Sequence, residues 1–211
     1  MSILSESVQA MRRMKVLLVL VALLYIGSYL AGWYLISIKS AIAVEISRGL
    51  QETVLTQQPF TLVLQSLRGG ELLKAILVTF LVNLTTGAFL TTTLPGIVPL
   101  VGSLGTIAVT VLRGFVVGIT YPEVLSSSPA RFALGLGTMI LELGAYVFSG
   151  AAGINIALAP ILPRRYGTES RWIAFKMAWK DAAKIYLIVV ILLALGAAWE
   201  MTGLFLVLHP T

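Results

Sequence analysis

The sequence predicts an all-α membrane protein, a polytopic bundle of about five transmembrane helices with additional interfacial helices. Its 211 residues are 58% hydrophobic and only 11% charged, with a mean hydropathy of +0.95. Soluble domains carry about 25% charged residues, so this chain has too little charge to cover a water-facing surface. Several apolar runs also reach the roughly 20 residues that cross a bilayer core. We therefore treat residues 1–211 as a single integral membrane domain.

The first predicted span is Val16–Ile38, which follows the basic stretch "MRRMK". Ala41-Ile42-Ala43 resembles a signal-peptide cleavage site, but the apolar core of a signal peptide has only about 7–15 residues. The longer run here favours a retained membrane helix. The next segment, 39–71, is more polar and contains a glycine pair that breaks a helix. We expect it to form one or two interfacial helices on the outer side of the membrane.

The second and third spans are predicted at Leu72–Leu94 and Val98–Ile119. Pro95 and Pro99 lie near the start of the third span, where the missing proline N–H costs least. The stretch "TYPEVLSSSPA" then predicts a loop before the fourth span.

The fourth apolar run, 132–162, is too long for a single helix perpendicular to the membrane. Gly150, Gly153 and Pro160 predict a break within it. We expect a span over 132–150, a break near the two glycines, and a bent, re-entrant or interfacial continuation to the end of the run.

A basic loop at 163–184 precedes the fifth predicted span, Ile185–Leu208. Lysines recur every four residues in this loop, while Trp172, Phe175 and Trp179 line another face. This pattern predicts an amphipathic helix on an anionic inner leaflet, and a solvated loop with snorkelling lysines is the alternative. The expected contacts with the inner leaflet are Arg164, Arg165, Arg171, Lys176, Lys180 and Lys184.

Basic residues are distributed unevenly between the two sides that five spans define. Nine lie on the side of the N-terminus and five on the other side, while Arg113 falls within a span. By the positive-inside rule, this count predicts a multi-pass protein of the cell membrane with a cytoplasmic N-terminus and an outer C-terminus. The topology accounts for the formal net charge of +6, so we predict no nucleic-acid partner.

Five of the polar side chains within the predicted spans form one predicted buried polar cluster. They are Asn83, Arg113, Thr138, Glu142 and Glu200. Insertion of a charged residue at the centre of a membrane helix costs about 2.5–3.5 kcal/mol, so we expect these side chains to turn inward. Helical spacing places Glu142 on a face of small residues, which neighbouring helices can approach closely.

The depths of these residues predict two pairs. At about 1.5 Å per residue, Asn83 and Glu142 both lie roughly 16 Å from the outer ends of their spans. Arg113 and Glu200 lie roughly 9–12 Å deep. We therefore expect Arg113 to pair with Glu200, and Glu142 to share hydrogen bonds with Asn83 or with a hydroxyl such as Thr138. The pairs serve either to fix helix register or to line a wet cavity or proton path.

Small residues at short, helical spacing predict close packing of the helices. They are Gly114, Gly118, Ala145, Ser149, Gly150 and Gly153. The pattern does not distinguish packing within one chain from packing between copies, so a monomer and a homo-oligomer both fit it.

Four motifs follow one another over about residues 72–208: "LVNLTTGAF" with an asparagine, "LRGFVVGI" with paired glycines, "TMILELGAYVFSGAAGI" with a Glu-Leu element and a small-residue run, and "GAAWEMTG" with the glutamate of the last span. In the order of these motifs, the chain resembles the stage II sporulation protein M family of integral membrane proteins. Arg113 stands where the family pattern has an asparagine, Thr138 where it has a histidine and Met139 where it has a glycine. We therefore carry over no role for that asparagine or histidine.

The resemblance implies a polytopic scaffold or channel-like component of a membrane complex. In sporulating bacteria, family members work with peptidoglycan-degrading partners, whereas many relatives occur in organisms that make no spores. Membrane or cell-wall proteins are the partners that it implies here, and it implies no biochemical activity.

The residue inventory argues against an enzyme. The chain has no cysteine, and its single histidine, His209, lies two residues from the C-terminus, which excludes an HExxH zinc site and an internal Ser-His pair. Asp181 is the only aspartate, and the depth estimates separate Glu142 from Glu200. We therefore expect no catalytic residue, no metal and no cofactor.

Two functions fit the sequence. The first is a non-catalytic scaffold that binds partner proteins through segment 39–71 or through the basic loop. The second is a transporter or channel for an ion or small solute, with Asn83, Arg113, Glu142 and Glu200 lining a polar cavity open to the outside.

Overall fold

The structure is a computed structural model that describes the backbone of residues 3–209 and the side chains of residues 6–120 and 128–209. All regular structure in this part of the chain is helical. The α-helices are α1 (Ile3–Ser37), α2 (Ala41–Thr56), α3 (Phe60–Arg68), α4 (Leu72–Val82), α5 (Val101–Ser127), α6 (Pro129–Leu158) and α7 (Arg171–Leu208). A π-helix, Asn83–Thr93, and a short 3₁₀ helix, Leu94–Ile97, continue α4, and another 3₁₀ helix, Pro163–Tyr166, precedes α7.

Five helical stretches are long and apolar enough to cross a membrane. They are Glu6–Ser37, Leu72–Ile97, Val101–Thr120, Pro129–Leu158 and Arg171–Leu208. The predicted class, an all-α polytopic bundle of five long helices with additional short ones, is therefore confirmed.

Helix α6 lies at the centre of the bundle and packs against α1, α5, α7 and the π-helix. It runs antiparallel to α7, since Gly203 meets Leu134 and Gly196 meets Leu141. The largest apolar cluster joins α1, α6 and α7 around side chains such as Val21 and Val189.

The predicted break in the fourth helix is wrong, because α6 continues without interruption through Gly150 and Gly153. A helical glycine costs about 1 kcal/mol relative to alanine, and close packing offsets that cost here. Gly150 lies 3.3 Å (from its ideal Cβ position) from Val21 of α1, and Gly153 lies directly against the backbone of Thr92. Pro160 lies two residues after the end of α6 and so does not interrupt it.

The second span is not α-helical throughout, because it changes to π-helix at Asn83. Threonine hydroxyls donate to backbone carbonyl oxygens throughout this segment, for example Thr85 to Leu81 and Thr91 to Gly87, both at 2.7 Å. Such bonds compete with regular helical pairing. π-helical segments are rare and occur frequently at functional sites.

Two further helix boundaries differ from those predicted. Helix α5 extends to Ser127, so the predicted loop before the fourth span shrinks to the single residue Ser128. The basic segment 171–184 and the fifth span form one helix, α7, because the buried stripe of Ala174, Ala178 and Ala182 continues into Ile185. The start of α7 is therefore not a separate helix that turns away from the span.

The segment 39–71 forms the two short helices α2 and α3, as predicted. Leu67 of α3 is fully buried against Ala75 of α4 and Met201 of α7. Helix α3 thus covers the bundle at one end, which we call the α2–α3 side. The opposite end carries the start of α1 and the connection 159–170, and we call it the N-terminal side.

Candidate functional site

A cavity of about 290 Å³ lies beneath α3, between α4, α6 and α7. Apolar side chains of α2, α3 and the loop between them form its cover, and polar groups enter it from the spanning helices. The polar and acidic lining residues are Thr79, Asn83, Glu142 and Glu200. Ionisable groups within membrane helices mark functional sites by default, so this cavity is the candidate site.

Asn83 and Glu142 contact each other at the floor of the cavity. Asn83 Nδ2 donates a hydrogen bond to Glu142 Oε1 over 2.7 Å. Asn83 is the first residue of the π-helix, and Glu142 lies in the middle of α6. The contact between these two residues, which their similar depths predict, is therefore present.

Glu200 faces the same cavity from α7. The antiparallel register of α6 and α7 explains this position, because Gly196 meets Glu142 and Glu200 follows one helical turn later. The expectation that depth separates the two glutamates is wrong, since side chains one turn apart reach a common space. Among the described residues, Glu200 has no hydrogen bond or ion pair.

Arg113 does not pair with Glu200, which corrects the second predicted pair. Its Nη2 atom donates to the carbonyl oxygen of Gly87 and to Thr91 Oγ1, each over 3.1 Å. Its guanidinium carbon lies 3.9 Å from the ring centre of Tyr146, a cation–π contact. In the described part of the chain α5 and α7 do not touch, because α6 lies between them.

Arg113, Tyr146 and Gly87 form a layer directly below the cavity, which we call the arginine layer. Gly87 follows Asn83 by four residues and Tyr146 follows Glu142 by four, so the layer lies about one helical turn further from α3. Tyr146 is buried, and its ring lies so close to Gly87 that a side chain there would overlap it. The layer therefore separates the carboxyl groups from the N-terminal half of the bundle.

Thr138 takes no part in the cavity. It is buried, and its hydroxyl donates to the carbonyl oxygen of Leu134 in its own helix over 3.0 Å. The alternative hydrogen bond between Thr138 and Glu142 is thus absent, and of the predicted polar cluster Asn83, Glu142 and Glu200 line the cavity.

A network of buried hydroxyl groups on the far side of the arginine layer is not predicted by the sequence analysis. Thr92 Oγ1 and Ser149 Oγ lie 2.9 Å apart, and Thr93 donates to the carbonyl oxygen of Ser149 over 3.0 Å. Thr106 and Tyr186 connect this pair to α5 and α7. Three consecutive threonines within an apolar run, "TTT", were the available signal.

A second polar network at the N-terminal side centres on Asp181, whose side chain is buried. Arg13 Nε donates to Asp181 Oδ2 over 2.8 Å, and Asn155 Nδ2 donates to the hydroxyl of Tyr166 over 2.6 Å. Burial raises the pKa of the Tyr166 phenol above its usual value. The only aspartate of the chain, placed among lysines, was the signal that sequence reasoning did not use.

The predicted packing residues lie between helices of the same chain. A Cβ atom added to Gly114 would overlap Ser28 of α1, and one added to Gly118 would overlap the backbone of Tyr29. On α6, the small residues Ala145, Ser149, Gly150 and Gly153 are all buried.

Most of the residues predicted to contact the inner leaflet are exposed. Arg164, Arg165, Arg171, Lys176 and Lys180 have exposed side chains, whereas Lys184 forms a salt bridge with Glu6 over 3.0 Å. Contact of these residues with lipid stays a prediction. In the part of the chain that was described, no three His, Cys, Asp or Glu side chains come together as a metal site would need.

Comparison with known proteins identifies one family. The family described as SpoIIM, Stage II sporulation protein M, matches residues 16–202, which is nearly the whole chain. No curated protein and no solved structure matches the chain.

Proposed function

The chain belongs to the stage II sporulation protein M family, and we propose that it is a non-catalytic component of a membrane complex that binds partner proteins on its α2–α3 side. Membership and five long apolar helices make it a multi-pass membrane protein. We propose a cytoplasmic N-terminal side, which the excess of basic residues there supports.

One observation carries the scaffold proposal: the polar cavity does not continue through the bundle. Helix α3 covers it on one side, and the arginine layer closes it on the other. A fixed positive charge within a pore also excludes cations. This arrangement supports a bundle that holds its shape rather than one that conducts solute.

Helix α2 supplies the surface that the scaffold would use. Ile42 and Leu55 are 67% and 64% exposed, although α2 lies outside the five spanning stretches. Exposed apolar side chains outside the spans favour contact with another protein or with the membrane surface.

A second function, transport of a cation or protonated solute, is favoured by the two carboxyl groups in the cavity. Glu200 lacks a protein partner among the described residues, and Glu142 has one oxygen bound by Asn83. Transport would require Arg113 to leave the ring of Tyr146.

Flux measurements separate the two functions. Purified protein is reconstituted into liposomes that contain a pH-sensitive dye, and proton and potassium flux are measured beside empty liposomes. The scaffold predicts background flux for both the wild type and Glu142→Gln. Flux in the wild type that Glu142→Gln abolishes would replace the scaffold with the transporter.

Site-specific photo-crosslinking in cells tests the scaffold directly. A photoreactive residue is placed at Ile42 or Leu55 of α2 and, as matched controls, at Leu77 or Ile191, which are 49% and 51% exposed on spanning helices. We expect discrete protein adducts from the α2 positions and none from the controls. Equal adduct patterns at all four positions would contradict a partner surface on α2.

A further inference from the structure

An apolar groove of about 550 Å³ runs along the surface of the bundle between α1, α5 and α6. Its walls are aliphatic, with Leu17, Leu20 and Leu23 on α1, Ile107 on α5, and Ile154 and Leu158 on α6. Leu20 and Leu23 are 51% and 59% exposed, so the groove opens toward the surroundings of the bundle.

A cluster of arginines lies at the N-terminal side of this groove. Arg165 Nη2 donates to the carbonyl oxygen of Arg13 over 3.2 Å, which holds the 3₁₀ helix Pro163–Tyr166 against α1. The side chains of Arg12, Arg164 and Arg165 are exposed, and none forms a salt bridge with a described residue. Asp181 neutralises Arg13 only, so within the part of the chain that the structure describes the other three arginines have no ion-pair partner.

The groove and the arginines are in line with each other. Arg12 precedes Leu23 by 11 residues, which is three helical turns, so both lie on one face of α1. The separation along the helix is about 16 Å, close to the roughly 15 Å that one leaflet contributes to a bilayer core. Leu158, at the end of α6, lines the groove six residues before Arg164.

We propose that the groove and Arg12, Arg164 and Arg165 form a binding site for one anionic phospholipid of the leaflet on the N-terminal side. An acyl chain fills the groove, and the three guanidinium groups hold the headgroup phosphate. Guanidinium groups bind phosphate oxygens in a fork geometry that neutral headgroups do not satisfy as well. Basic pockets between membrane helices are known binding sites for anionic headgroups.

A second copy of the chain is a poorer occupant of the groove. A symmetric contact across it would bring two sets of unpaired arginines together, and like charges repel most where water is scarce. An anionic lipid supplies both the apolar chain and the missing negative charge. This inference is independent of the function proposed above.

Native mass spectrometry of the purified protein in detergent tests the site. Phosphatidylglycerol is titrated against phosphatidylcholine with the same acyl chains, and the mass of each bound lipid is counted. The wild type is expected to retain one phosphatidylglycerol and to bind phosphatidylcholine at least about tenfold more weakly. The oligomeric mass is read in the same spectra.

Three variants divide the site into its parts. Arg12→Gln/Arg164→Gln/Arg165→Gln removes the charges, and we expect on the order of a hundredfold weaker phosphatidylglycerol binding. Leu20→Trp fills the groove and leaves the arginines, and it is expected to lose the bound lipid as well. Lys39→Gln/Arg48→Gln/Arg68→Gln removes three charges from the α2–α3 side and is expected to bind like the wild type.

Several outcomes would overturn the proposal. If Leu20→Trp keeps the bound phosphatidylglycerol while the arginine variant loses it, the arginines attract anionic lipid to the surface and the groove holds no acyl chain. Equal binding of the two lipids would leave an apolar groove without headgroup recognition. A dimer that Leu20→Trp dissociates, with no bound lipid, would assign the groove to a second copy. If Leu20→Trp does not fold, Leu23→Trp, at another exposed position of the groove, replaces it.

Discussion

Replacement of Gly153 by alanine tests whether α6 packs directly against the π-helix. The added Cβ atom would overlap the carbonyl oxygen of Thr92, whereas a carbon–oxygen contact is normally about 3.3 Å or longer. Helix α6 must therefore move away by about an ångström, since the obstacle is backbone and cannot rotate aside. That movement would also stretch the hydrogen bonds that join Thr92 and Thr93 to Ser149.

The expected magnitude follows from these terms. Overpacking of this kind costs about 1–3 kcal/mol, and each strained interhelical hydrogen bond adds about 0.6 kcal/mol. Alanine returns about 1 kcal/mol of helix propensity. We therefore expect Gly153→Ala to lower the free energy of unfolding by about 1–3 kcal/mol.

Gly144→Ala is the matched control, because it makes the same change in the same helix with space available. Its nearest new contact, with Leu192 Cδ1, would be an ordinary 3.8 Å. We expect it to be neutral or to stabilise by up to about 1 kcal/mol. Thermal unfolding in detergent, with roughly 2–4 °C per kcal/mol for a chain of this size, resolves the difference. Equal melting temperatures for the two variants would refute the packing of α6 on Thr92.

Three further predictions concern the polar networks. Arg113→Lys is expected to lower the free energy of unfolding by about 1–2 kcal/mol in thermal unfolding, because an ammonium group cannot both donate to Gly87 and stack on the ring of Tyr146. Unchanged stability would argue against the arginine layer. In a double-mutant cycle, Arg13→Gln and Asp181→Asn are expected to couple by about 1 kcal/mol, a modest value because Arg13 is partly exposed; strict additivity would contradict the pair. The raised pKa of Tyr166 contributes stability that is present below about pH 10 and is lost as the pH rises through the folded-state pKa. Tyr166→Phe should therefore flatten the alkaline loss of stability seen in pH-dependent melting. Parallel melting curves for the wild type and Tyr166→Phe would contradict this role.

The sequence was sufficient for the class, the five long helices and the contact between Asn83 and Glu142. These features depend on composition, on apolar length and on depth, which a sequence states directly. Depth alone did not predict the partners of Arg113, because two side chains can pair only if their helices are also neighbours. Helix α6 separates α5 from α7, and no single-sequence pattern reports that order.

The glycines and threonines show a second limit of sequence reasoning. Gly150 and Gly153 predict a helix break, yet they are positions where α6 packs closely against Val21 of α1 and the backbone of Thr92. The threonines at 91–93 lie in the predicted second span without a predicted role, although they belong to a π-helix. In both cases tertiary contacts decide between alternatives that local propensity leaves nearly equal.

The accessibility of single cysteines tests most directly whether the arginine layer closes the cavity. The native chain has no cysteine, so each introduced thiol is the only reactive one. Glu200→Cys lies in the cavity and Ser149→Cys lies beyond the layer. We expect a small, membrane-impermeant thiol reagent to reach Glu200→Cys from the α2–α3 side and to reach Ser149→Cys from neither side. Labelling of Ser149→Cys from the α2–α3 side would contradict this expectation.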